Sequence, residues 1–130
     1  MDFKLKQFSA AAILLLGACS NTWESTEIAS RGGKEYIIKV SEYDSGFYRN
    51  ADIVINDRIA YRIAPKSLTP PECEKVTQNS FIITCNYETT FEGNPLLIRK
   101  VTKSSLLALS INYEIYLDGK LLEVVNVQNR

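Results

Sequence analysis

The chain has 130 residues, with 15 basic and 15 acidic side chains and no histidine. A net charge of zero gives no electrostatic footprint for nucleic acid. The missing histidine excludes Ser-His-Asp and Cys-His catalysis and histidine-based zinc sites, and no CxxC, HExxH or GxxxxGK[ST] spacing occurs.

The first element is a short cationic start, Lys4 and Lys6, followed by the apolar run Ala10-Ala11-Ala12-Ile13-Leu14-Leu15-Leu16. That order is a secretory signal peptide. The run falls short of the roughly 20 apolar residues that span a bilayer. It leads through Leu16-Gly17-Ala18 into Cys19. This stretch resembles the lipobox of bacterial lipoproteins, and the resemblance covers residues 1–19 only. It implies that residues 1–18 are a removed signal peptide. It also implies that Cys19 is lipidated with palmitate-type acyl chains and anchors the chain to a membrane. Ser20 stands where an aspartate would retain such a protein in the inner membrane, so the resemblance implies the outer membrane, with the body in the periplasmic environment of the envelope. Losing Lys4, Lys6 and Asp2 leaves 13 of the 15 basic and 14 of the 15 acidic residues, so the body is still near neutrality.

Residues 19–34 read as the lipidated cysteine and a flexible tether. They carry Ser, Thr, Asn, Glu and Gly32-Gly33 without apolar periodicity, and such a tether would let the body stand off the bilayer. Trp23 lies close enough to the anchor to rest among lipid headgroups; the alternative is a residue packed on the body. The β-domain is expected over residues 35–130.

In chain order, Tyr36, Ile38 and Val40 alternate as the inward stripe of a first strand. Tyr43-Asp44-Ser45-Gly46-Phe47-Tyr48-Arg49-Asn50 breaks that alternation and gathers aromatic residues and an arginine. These are the residue types that dominate binding hot spots. Tyr43, Phe47, Tyr48 and Arg49 are therefore the candidate partner-binding residues, unless the aromatics only cover the end of the core. Ala51 to Ile63 reads as a hairpin with a three-residue loop, Asn56-Asp57-Arg58. That loop pairs Ile55 with Ile59, Ile53 with Tyr61 and Ala51 with Ile63. Ala64 to Thr77 is a proline-stiffened loop, either a recognition edge or a crossover between sheets.

Asn79 to Phe91 alternates with Phe81, Ile83, Cys85, Tyr87 and Phe91 on one face. With Cys19 lipidated, Cys73 and Cys85 are the pair left to form a disulfide in an oxidising compartment. Glu92-Gly93-Asn94-Pro95 is a turn expected to set Glu88 opposite Arg99. Arg99, Lys100 and Lys103 read as a solvated basic edge, with anionic lipid headgroups as the alternative partner. Leu107 to Leu117 alternates apolar and polar residues, the pattern of a half-buried strand. Asp118-Gly119 suits a type I′ turn, which places Ile115 opposite Leu122 and Tyr113 opposite Val124. Tyr36, Tyr61, Tyr87 and Tyr113 fall on inward stripes, and Tyr116 on an outer face.

About seven strands joined by hairpins, with no helix after the signal, predict an all-β fold: a small antiparallel β-sandwich or open barrel with one disulfide. No catalytic residue, metal ligand or cofactor site is identified. The expected role is a non-enzymatic binding or assembly module in the bacterial envelope, with a protein or envelope polymer as partner. The alternatives are an inhibitor or immunity protein against a toxin or wall hydrolase, and a hydrolase built on carboxylates.

Overall fold

Alternation of β-branched and aromatic residues with polar ones commits the chain to strands. The computed structural model describes residues 21–44, 49–64, 73–77 and 81–129. Among them lie nine strands: β1 (Asn21–Arg31), β2 (Lys34–Asp44), β3 (Arg49–Ile55), β4 (Arg58–Ile63), β5 (Cys73–Thr77), β6 (Phe81–Phe91), β7 (Asn94–Ser104), β8 (Leu109–Leu117) and β9 (Lys120–Asn129). They form two antiparallel sheets, β1-β2-β3-β4 and β5-β6-β7-β8-β9, stacked as a sandwich. The chain changes sheet between β4 and β5, where the proline-rich segment was expected to cross; residues 65–72 of it lie outside the described residues.

The apolar core sits between the sheets. Ile38, Val40, Ile53 and Ile55 face Ile98, Ile111, Tyr113, Ile115 and Val125, all essentially without solvent exposure. Tyr36 and Tyr87 are buried as expected, and half-buried Tyr61 leans on Tyr87 with ring centroids 5.5 Å apart.

The first correction concerns the N-terminal segment. Residues 21–31 are a strand, β1, and not a flexible tether. It pairs with β2 along its whole length, from Asn21 opposite Asp44 to Arg31 opposite Lys34, through a turn at Gly32-Gly33. Both glycines have positive φ, which makes the pair a hairpin turn. Alternation is absent because β1 is an edge strand and only Ala29 is fully buried on it. Backbone pairing therefore holds it, without an apolar stripe. Trp23 is half-buried there, opposite Glu42. β1 in turn lies alongside β9 of the other sheet, which closes that side of the sandwich.

Three registers also differ from expectation, two through a tighter turn than expected and one through a bulge after the expected turn. Asn56-Asp57 and Glu92-Gly93, like Asp118-Gly119, hold two successive positive φ values. These are two-residue turns. At Asn56-Asp57 the expected pairs Ile53–Tyr61 and Ala51–Ile63 form, but Ile55 meets Arg58, and the extra residue is absorbed as a bulge at Ala60. At Glu92-Gly93, Phe91 meets Asn94, so Arg99 lies opposite Asn86, and the expected Glu88–Arg99 pair is absent. After Asp118-Gly119 a bulge at Leu122 shifts β9 by one residue, setting Glu123 opposite Ile115 and Val125 opposite Tyr113. Val125 then points inward and Val124 outward, because a one-residue shift exchanges faces. β8 begins at Leu109, so Leu107 lies in the preceding turn and outside the strand.

Candidate functional site

The topology gives the sandwich two unlike ends. One end gathers the turns Gly32-Gly33, Asn56-Asp57, Glu92-Gly93 and Asp118-Gly119. It is polar and laced between the sheets. Lys34 Nζ donates to Glu92 Oε1 at 2.7 Å, and Arg58 lies 3.5 Å from the other oxygen. Lys34 holds the Glu92 carboxyl below the usual range, and Glu92 in turn raises Lys34. Arg31 donates to the carbonyl oxygens of Leu117, Lys120 and Leu121, tying the end of β1 to the β8–β9 turn.

The opposite end carries the start of β1 at Asn21, the Asp44–Arg49 pair, the Phe81–Ser104–Leu109 row and the end of β9. Two candidate partner-binding residues, both on described strands, fall at this end. Tyr43 is on β2 with 44% exposure. Arg49 opens β3 opposite Asp44. Phe47 and Tyr48, between those strands, lie outside the described residues, as does Cys19. The expected disulfide is present: Cys73 and Cys85 are direct partners on β5 and β6. It fastens the edge strand β5, the shortest in the sandwich, to the body.

The expected basic edge is divided. Arg99 lies on the outer face, where Nε donates to Asn86 Oδ1 at 3.1 Å and the guanidinium stands 3.7 Å from Glu114 and over the Tyr116 ring. Tyr116 donates its hydroxyl to Glu114, which raises its pKa, and it is only half-exposed. Tyr43 is the more exposed of the two tyrosines. Lys103 is solvent-exposed, as expected. Lys100 is not: it points between the sheets, its side chain 13% exposed, with Nζ 3.2 Å from Glu42 Oε2. Lys100 shares the parity of Leu96 and Ile98 on β7, so the inward stripe carries it in.

Glu42 has the same parity as Tyr36, Ile38 and Val40 and is 1% exposed. Besides Lys100, it accepts from the Tyr113 hydroxyl at 2.5 Å and from Gln128 Nε2 at 3.1 Å. One carboxylate thus joins β2 to β7, β8 and β9 across the sandwich. Sequence reading passed over this cluster, although strand parity alone marks Glu42 and Lys100 as inward.

The other feature not anticipated is the β7–β8 turn. Ser105 N donates to Ala108 O at 2.9 Å, closing a tip whose two central residues are Leu106 and Leu107. They are 102% and 95% exposed.

No known family model, curated protein or solved structure matches this chain. Among the described residues no group of His, Cys, Asp or Glu is placed to hold a metal ion, and no helix is long and apolar enough to cross a membrane.

Proposed function

We propose that the chain is a lipid-anchored lipoprotein of the bacterial cell envelope, held at the outer membrane by Cys19. Its β-domain is non-enzymatic and binds or assembles with a macromolecular partner. The observation that carries this reading is Leu16-Gly17-Ala18-Cys19 following a cationic start and a short apolar run. The Cys73–Cys85 disulfide supports it, since such bonds persist in oxidising compartments outside the cytoplasm. The Glu42 carboxylate supports a structural role for the buried acid, because its three partners fix the two sheets to each other.

The recognition residues are Tyr43, Phe47, Tyr48 and Arg49, on and beside the turn between β2 and β3. Large aromatic and arginine side chains on a supported loop supply binding energy disproportionate to their number. The test is affinity capture on the detergent-solubilised full chain, comparing wild type with the triple variant Phe47→Ala, Tyr48→Ala, Arg49→Ala. The variant should keep the wild-type melting temperature and bind its partner at least about tenfold more weakly, about 1.4 kcal/mol. Undiminished capture by the folded variant would place the site elsewhere. If the captured partner is a single wall hydrolase or toxin, the protein is an inhibitor and not an assembly module.

A further inference from the structure

We propose that Leu106 and Leu107 form a second membrane contact, inserting into the leaflet that holds the Cys19 lipid, so that the domain sits on the bilayer by its apolar end. This inference rests on the lipid-anchor reading above and adds an orientation to it.

Only Ser20 separates Cys19 from the first residue of β1. Two Cα–Cα steps span no more than about 7.6 Å, so a lipid on Cys19 holds the Asn21 end of the sandwich at the membrane surface.

The strands then determine what else lies at that level. Arg31 on β1 bonds the Leu117 carbonyl on β8, which gives a common origin at the far end. From Arg31 back to Asn21, β1 covers about 33 Å at roughly 3.3 Å per residue. From Leu117 back to Leu109, β8 covers about 26 Å at the same rise, and the turn that holds Leu106 and Leu107 lies beyond Leu109. Because β1 lies alongside β9, and β9 is paired with β8, the Leu-Leu tip and Asn21 share one end of the molecule.

Composition agrees with that geometry. The four turns at the far end are built from Gly, Asn, Asp and Glu. The β7–β8 turn alone among the described turns presents two aliphatic side chains at its centre, with almost all of their surface in water. Other exposed apolar residues, such as Ile28, Ile37 and Ile59, lie on an outer sheet face between strand neighbours. Ile28 and Ile37 are direct partners toward the Gly32-Gly33 turn at the far end, away from the anchor. Beside the tip, Phe81 is exposed at the edge of the same row, opposite Ser104, and Lys103 is exposed next to it. Apolar side chains at a tip flanked by a lysine match the acyl and headgroup layers of an anionic leaflet. The recognition residues Tyr43 and Arg49 lie at this same end, in the other sheet, so the partner they bind is one met at the membrane surface.

The experiment uses the lipidated full chain reconstituted in vesicles of phosphatidylethanolamine and phosphatidylglycerol, with and without acyl-brominated phospholipid as a contact quencher. Tryptophan is introduced by L106W, L107W or, at the far end, L121W, and the emission each adds over the wild type is measured. The tip residues are solvent-exposed, so these substitutions do not disturb packing. L106W and L107W should be quenched at least about fivefold more than L121W if the tip enters the acyl layer. Equal, weak quenching of all three in protein that carries the fatty acid would overturn the membrane contact and leave the anchor intact. Protein that carries no fatty acid would overturn the anchor and this inference together. An unquenched L106W whose emission shifts to the blue with protein concentration would assign the tip to a second copy and refute the bilayer.

Discussion

Glu42→Gln should be among the most damaging single substitutions in the domain, although it changes one atom. The wild-type carboxylate is 1% exposed and lies 3.2 Å from the Lys100 ammonium, whose side chain is 13% exposed. At an effective dielectric near 20 the direct attraction at that distance is about 5 kcal/mol, most of it offset by the desolvation of both groups. Removing one member of such a pair leaves the cost of the other's burial in place, typically about 3–5 kcal/mol. The amide also puts a donor in place of one of the two oxygens, Oε2 or Oε1, that accept from Tyr113 and Gln128 respectively. For a domain of this size the loss lowers the melting temperature by about 12–20 °C. Lys100→Met should cost a similar amount. The double variant should lose less than either single one, because it removes the buried charge that each single change leaves unpaired. Circular dichroism melts of the four proteins form the cycle. Additive losses, or a Glu42→Gln cost below about 1 kcal/mol, would refute the claim that this pair fastens the sheets.

Cys85→Ala should lower stability by about 2–5 kcal/mol, and thiol titration of the unfolded, unreduced wild type should find no thiol on Cys73 or Cys85. Hydrogen exchange should locate the first loosening in the variant at β5, the edge strand that the disulfide holds. Asp57→Gly should raise the melting temperature by a few degrees, since Asp57 has a φ of 64° and a left-handed conformation costs a non-glycine residue about 1 kcal/mol; an unchanged or lower value would contradict the type I′ assignment. The Glu92 carboxyl titrates below its ordinary range because Lys34 donates to it. An acid with a lowered folded pKa adds stability above its unfolded pKa and loses it as the pH falls through the folded value. Glu92 side-chain resonances should therefore titrate at higher pH in Lys34→Met than in the wild type, and identical titrations would remove the assigned cause.

Strand parity carried most of what the sequence revealed. Ile38, Ile53, Tyr87, Ile111 and Ile115 are core residues because they fall on inward stripes, and the disulfide follows from Cys73 and Cys85 being the pair left in an oxidising compartment once Cys19 is lipidated. Register was less legible. Glu92 and Asp57 accept positive φ despite their side chains, so turn length could not be read from glycine alone. Bulges at Ala60 and Leu122 are single-residue insertions that alternation alone does not reveal. β1 was missed because an edge strand needs only backbone partners, and Asn21–Arg31 offers few apolar residues to count. Lys100 reads by charge as a surface residue, whereas its parity, like that of Glu42, points inward. Leu107 was assigned to the strand because it continued the alternation, whereas the register of Ser104 with Leu109 leaves it in the tip.

The anchor is the premise on which orientation and function both stand. Growing cells with a labelled fatty acid and separating wild type from Cys19→Ser tests it directly. Label should travel with the wild-type chain, and the Cys19→Ser chain should be unlabelled, whether it is released from the membrane or kept as the unprocessed precursor. Label retained on Cys19→Ser, or absent from the wild type, would contradict it.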